Sequence, residues 1–228
     1  MSAQLFTRLQ QDMKTLGVYG GAADGSWGPL SHAAFQAARD RAVKGDERFT
    51  PELLSYAKAV AWSAKVSPAF VTAAKGFCDK LGCPVDSLMS CMAFETGETF
   101  SPTIKNGAGA PYYGLIQFGA AAATDAGTSI ELLLKMTAEQ QLQYVYNFFK
   151  PYTGKLKNLG DIYMRILWPK AVGKPDSYVL FAKDLPGKAY VQNKGLDGNK
   201  DGSITRGECL VKINEKLIKG LNPVNLRP

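Results

Sequence analysis

The chain of 228 residues holds one histidine and four cysteines, and these scarcities set the first limits. With His32 alone beside Cys78, Cys83, Cys91 and Cys209, neither a zinc site nor a dense disulfide framework is expected, and the cysteines read as free, mostly buried thiols. Long apolar runs are missing too. Nothing approaches the roughly 20 residues that a membrane span needs. The opening Met1-Ser-Ala-Gln-Leu-Phe-Thr-Arg lacks the apolar core of a secretory leader, so the expectation is a protein made in a cytoplasm that leaves it with help. Blocks of like charge are also absent. The net charge of +7 suits an anionic partner, but Lys and Arg are scattered and no nucleic-acid-binding motif appears, so a polyanionic cell envelope is expected rather than nucleic acid.

What is present is an ordinary globular composition, 46% hydrophobic and 21% charged, long enough for a small module plus a larger domain. The expected fold class is mainly α. Leu5, Leu9, Met13 and Leu16 recur at helical spacing and Gly17 ends the run. A loop through Asp24-Gly25-Ser-Trp27-Gly28-Pro29 follows, then a helix from Ser31 to about Ala42 and a third from Thr50-Pro51 to Trp62. Residues 1–64 thus read as a small three-helix bundle, and Ser67-Pro68 opens a second domain spanning 65–228. In it, helices are expected to Leu81, from Pro84 to Glu95, from Thr137 to Phe149 and from Leu159 to Pro169, with Tyr112 to Phe118 as a short strand of a hairpin.

The chemistry is expected at Glu95. An apolar run from Val85 to Phe94 delivers this acid to a helix end with a Gly-rich segment beyond it. Desolvation there raises a carboxyl's pKa and lets it hold a proton near neutrality. The order Glu95-Thr-Gly, Phe100-Ser-Pro, a Gly/Ala turn and Gly114-Leu-Ile-Gln117 resembles the lysozyme-like lytic transglycosylases. That resemblance implies an acid/base role for Glu95 and a sugar groove lined by Gln117. It extends to Thr96, where the family usually has Ser, and to Tyr163, which is equally readable as cleft or core; Tyr113 is a further aromatic candidate for the groove. The first sixty residues, through Leu9-Gln10, Leu16-Gly17 and the Asp24-to-Pro29 turn, are similar to the peptidoglycan-binding domain of wall hydrolases. This implies a wall anchor at Asp24 and Trp27, although a loop Trp also serves as a plug for a bundle.

The implied whole is a modular phage endolysin, a monomer acting on peptidoglycan in the periplasm after release from the host cytoplasm. It would cleave the N-acetylmuramic acid–N-acetylglucosamine bond, as a transglycosylase or a hydrolytic muramidase. The alternative from another class is a non-catalytic wall-binding or virion protein.

Independently of any resemblance, Asp197-Gly-Asn199-Lys-Asp201-Gly202-Ser203-Ile-Thr205-Arg-Gly-Glu208 fills every slot of the twelve-residue calcium loop. A single copy reads as a structural Ca2+ clamp rather than a sensor. The segment from Glu208 to Leu221 is a cationic amphipathic helix, open to two readings: exit helix of the loop, or contact with an anionic outer membrane.

Overall fold

The computed structural model describes residues 2–46, 48–107, 109–185 and 189–228, and among these the protein is mainly α-helical, with eleven α-helices and one two-stranded antiparallel sheet. It divides into two compact units, residues 1–64 with 218–228, and residues 65–217. No helix among the described residues is long and apolar enough to cross a membrane.

The first unit is built on α1 (Ser2–Thr15), α2 (Pro29–Val43) and α3 (Pro51–Lys58). The helical stripe buries Leu9, Met13 and Leu16 against Phe35, Ala38 and Leu53. Gly17, at φ +76°, takes the left-handed turn that closes α1. Thr50 caps α3 by accepting from the Leu53 amide at 3.2 Å, and Pro51 occupies the first helical position. The helix stops at Lys58, earlier than its apolar pattern suggests: Ala59 is extended and Trp62, wholly buried, sits at φ +65° with its amide bonded to the Gly220 carbonyl. The demand of this tertiary contact overrides local propensity. Gly220 is required there, because a β-carbon would run into the Trp62 indole. Residues 218–228, read from the sequence as part of the second domain, group instead with the first unit, where Leu226 enters the core.

In the second unit α4 (Pro68–Leu81) and α5 (Val85–Glu95) are followed by α6 (Ala120–Asp125), α7 (Ile130–Leu133), α8 (Ala138–Phe149) and α9 (Leu159–Leu167). Ser67 caps α4, Gly82 ends it in the left-handed conformation, and Thr137 with Gln140 forms a full capping box on α8. Helix α5 is the centre: its residues from Ser87 to Ala93 are all buried, and it packs on α4 and α9. Strand β1 (Val179–Ala182), α10 (Ala189–Asn193), β2 (Ser203–Thr205) and α11 (Arg206–Gly220) complete the chain.

The expected strand over Tyr112 to Phe118 is a tight turn, with isolated bridges of Tyr113 to Lys105 and to Phe118. Gly114 at φ +75° and Gln117 at φ +53° bend the segment too sharply for a ladder. The sheet lies at the calcium-type loop, where β1 pairs with β2. In α11, Leu210 and Ile213 are buried, so most of that apolar face is spent in packing, as an exit helix would spend it.

Candidate functional site

Glu95 is the last residue of α5, half-buried beneath a helix whose preceding turns are closed to water. Among the described residues none hydrogen-bonds or ion-pairs with its carboxyl, and desolvation alone pushes its pKa up to about 7. An acid in this state carries its proton at neutral pH and can give it up. Tyr163 of α9 is its neighbour. Phe94 meets the Tyr163 ring edge-on at 5.6 Å, and burial, with the Glu95 charge next, pushes the phenol up. Tyr163 is 4% exposed and does not line the cleft that holds Gln117, so it packs in the core beside the acid.

Beyond Glu95 the backbone is strained in a concentrated way. Glu98, Phe100 and Gln117 all have positive φ, three of the five such non-glycine residues among those described. Unfavourable backbone of this kind costs about 1–3 kcal/mol per residue and clusters where geometry matters. Thr96 serves this bend. It is wholly buried, donating to the Met92 carbonyl at 2.7 Å and accepting from the Phe100 amide at 3.0 Å. The expectation that Thr96 meets substrate is therefore corrected, since its hydroxyl is consumed in turning the chain. Phe100, once placed, packs edge-on against Phe70 at 6.0 Å.

Gln117 lines a cleft of about 450 Å³ together with Tyr112, Phe118, Asp125, Phe148 and Arg165. Its Nε2 donates weakly to the Ile104 and Gly114 carbonyls, both at 3.4 Å, while its Oε1 is buried with no donor. Tyr113 is half-buried in the turn. Glu95 is not on the wall of this cleft. The two are linked through α9, which sends Tyr163 towards Glu95 and Arg165 and Ile166 to the cleft.

Sequence reasoning missed Gln141 of α8. Wholly buried, it donates to the Pro102 carbonyl at 2.6 Å and the Leu133 carbonyl at 2.8 Å, and accepts from the Leu115 amide at 3.2 Å. It thus clamps the turn that presents Gln117. Gly114 must be glycine, because a β-carbon would lie 2.5 Å from Gln141 Oε1. A buried Gln inside an amphipathic pattern, at a position the apolar stripe reserves for core, is the signal that could have found it.

The 197–208 loop folds as its spacing requires. Asn199 Oδ1 accepts from the Asp201 amide at 2.9 Å and Asp201 Oδ1 from the Ser203 amide at 2.8 Å, curling the chain inward. Gly202 at φ +92° makes the sharp turn at the sixth position, and Glu208 closes the loop by accepting from the Gly198 amide at 3.1 Å and from Thr205 Oγ1 at 2.8 Å. Asp197 is buried; its Oδ2 accepts from Tyr190 at 2.6 Å and from the Gly202 amide at 3.1 Å, bonds that hold its carboxyl below the usual range. Its Oδ1 is buried with no partner. Among the described residues no three His, Cys, Asp or Glu side chains are gathered as a metal cluster. The loop's fit to a hard cation therefore rests on its mixed oxygen set, from Asp197, Asn199, Asp201, Thr205, Glu208 and the Ser203 carbonyl, and on that orphaned oxygen.

The loop is anchored by Arg206, its tenth residue. Buried, it pairs with Asp161 at 3.2 Å and with Asp176, and donates to Asn158 at 3.2 Å. Asp161 also accepts from the Gly173 amide at 2.9 Å and the Lys157 amide at 3.1 Å. Gly160 leaves the space the guanidinium fills.

In the first unit Asp24 is exposed, and its Oδ1 accepts from the Ser26 amide at 2.9 Å, which makes it a turn former. Trp27 packs against Phe6 and Phe35 at 5.0 and 5.6 Å, in the manner of a plug. It also lines a cleft of about 370 Å³ with Pro29, His32, Ile218 and Lys219. Gln10 holds the loop to α1, donating to the Ser26 carbonyl at 2.8 Å and accepting from the Gly25 amide at 2.9 Å.

Comparison with protein-family models finds no match, and comparison with the curated proteins finds none either.

Proposed function

We propose that the protein is a peptidoglycan-degrading enzyme of the endolysin kind, with a wall-binding first unit and a lysozyme-like second unit in which Glu95 is the general acid. One observation carries this reading: Glu95 ends a buried helix with no ionic partner among the described residues, and desolvation pushes its pKa up to about 7. Glycosidases prepare the proton donor in this way. Glu95 gives its proton to the glycosidic oxygen between N-acetylmuramic acid and N-acetylglucosamine, and an oxocarbenium-like centre develops as the bond breaks.

The fate of that centre depends on a second carboxylate. Glu98 is engaged with Lys216 at 2.5 Å, which removes it as a free base. Attack by the muramoyl 6-hydroxyl needs no second protein carboxylate and yields a 1,6-anhydro product, so lytic transglycosylation is the favoured outcome. Asp125, exposed on the cleft wall with Gln117, supports the second reading, a hydrolytic muramidase. Gln117 and Tyr113 are proposed to frame the sugar site with Tyr163 packed behind Glu95, and Ca2+ is proposed to bind at 197–208 and stabilise the fold without taking part in the chemistry. The proposed setting is synthesis in a bacterial host and action on the wall as a monomer after release. The charge of +7 suits that polyanionic envelope.

The test is turbidity clearing of purified walls by wild type and Glu95→Gln, with mass spectrometry of the products. An anhydromuramoyl product that disappears in the variant supports the reading; equal clearing by both proteins sinks it. A product carrying the mass of one added water instead selects the hydrolase.

A further inference from the structure

The corner between α4 and α5 holds two cysteines that the proposed chemistry does not use. Helix α4 ends with Gly82 in the left-handed conformation, φ +67°, and the Cys83 amide reaches back to the Cys78 carbonyl at 3.1 Å. This is the six-to-one hydrogen bond of a Schellman turn, in which the residue after the glycine lies beside the residue five earlier and their side chains touch. Here both are cysteine, set side by side by that turn. Cys78 is buried, Cys83 is half-exposed, and both are thiols in this structure. Pro84 follows and α5 begins at Val85, so this corner immediately precedes the helix that carries Glu95.

We infer that Cys78 and Cys83 form a built-in dithiol that closes into a disulfide when the protein meets a small-molecule disulfide in an oxidising compartment. Cys83, the accessible member, attacks one sulfur of that oxidant, breaking its S–S bond and releasing one small thiol. Cys78 then attacks Cys83 Sγ, its proton passing to the second small thiol as that leaves. Two S–H bonds are exchanged for one S–S bond, and the oxidant departs as two thiols carrying the two electrons and two protons. The Cys78 thiol beside it lowers the Cys83 pKa, which favours the first step, while the Cys78 pKa is raised. The Asp79 and Asp86 carboxylates and the Cys91 thiol also face this corner, and the negative charges oppose thiolate formation. The ring closes across six residues at the α4–α5 corner, with Cys78 on its buried side and Cys83 on its accessible side.

The experiment treats reduced, full-length protein with oxidised glutathione and counts thiols under denaturing conditions. Wild type should fall from four titratable thiols to two, lose two hydrogens in mass, and yield a peptide cross-linked between Cys78 and Cys83. Its Tm should rise on oxidation, whereas that of Cys83→Ser should not move. Cys78→Ser should stop at a single glutathione adduct on Cys83. Circular dichroism checks the fold of each variant, and should the buried Cys78→Ser fail to fold, Cys83→Ser, at a half-exposed site, still tests the inference through its unmoved Tm and absent cross-link. A stable glutathione adduct on wild-type Cys83, a Cys83–Cys91 cross-link, or four thiols remaining would each overturn the inference. None of these readouts depends on wall cleavage.

Discussion

Two buried or half-buried carboxyl groups of the second unit meet opposite fates. Glu95 loses water and gains no donor among the described residues, and its pKa climbs to about 7. Asp197 loses water but receives a phenol and a backbone amide, and its pKa drops below the ordinary range. Burial alone therefore does not decide what an acid becomes; the number of donors aimed at it does. With none, it suits the proposed proton carrier, and with several and one oxygen left over, it suits the proposed calcium ligand.

That contrast breaks most visibly at Glu95. Replacing it with Gln keeps the shape and removes the proton, so clearing of wall suspensions should fall by on the order of a hundredfold or more with circular dichroism unchanged. Wild-type activity itself should decline as pH rises through about 7, where the acid form is lost. The same variant sharpens the comparison in stability. Because folding raises the pKa of Glu95, its stabilising contribution is complete below the ordinary carboxylate range and is lost as pH rises through about 7. Glu95→Gln should therefore be more stable than wild type at pH 8, by at most about 3 kcal/mol, and the gap should close at pH 4. Urea unfolding at the two pH values measures this, and a gap that persists at pH 4 would point to packing instead.

Asp197 should respond to cations as Glu95 does not. Calcium at a hundredfold excess over its dissociation constant should stabilise the wild type by about 2.7 kcal/mol, with chelator reversing the gain in Tm. Asp197→Ala should abolish the dependence; a wild-type melt indifferent to chelator would reduce the loop to a turn. The smallest effect is expected at Asp24, the other Asp-Gly loop. Its single amide bond is worth about 1 kcal/mol, so Asp24→Ala should lower stability by that order with no calcium dependence at all.

Local signals in the chain were legible because their causes are local. Thr50, Ser67 and Thr137 each cap the helix that their position announces, and Gly17 and Gly82 each end one. The end of α5 at Glu95 was legible from the apolar run that leads to it, and the turns of the 197–208 loop because its own Asn and Asp side chains set them. What escaped depends on partners far along the chain. The early end of α3 answers to Gly220, and Gln141 answers to Pro102 and Leu115. The turn at 113–118 passed for a strand because its aromatics match strand propensity, while positive φ at Gln117, a residue type that rarely adopts it, is invisible in the letters. Strand β1 is four residues long and finds its partner only across the loop.

The missing side chain of Gly160 has a consequence for how this protein could be cut and recombined. Arg206 occupies the vacancy and neutralises Asp161, forty-five positions earlier, inside α9. A breakpoint between Asp176 and Arg206 would send Arg206 to one chain and both of its acidic partners to the other. Each recipient would inherit a stranded charge, at a cost of about 3–5 kcal/mol. The calcium-type loop is thus welded to its host, unlike a cassette, and lineages carrying it are expected to exchange it only together with α9 and the residues between.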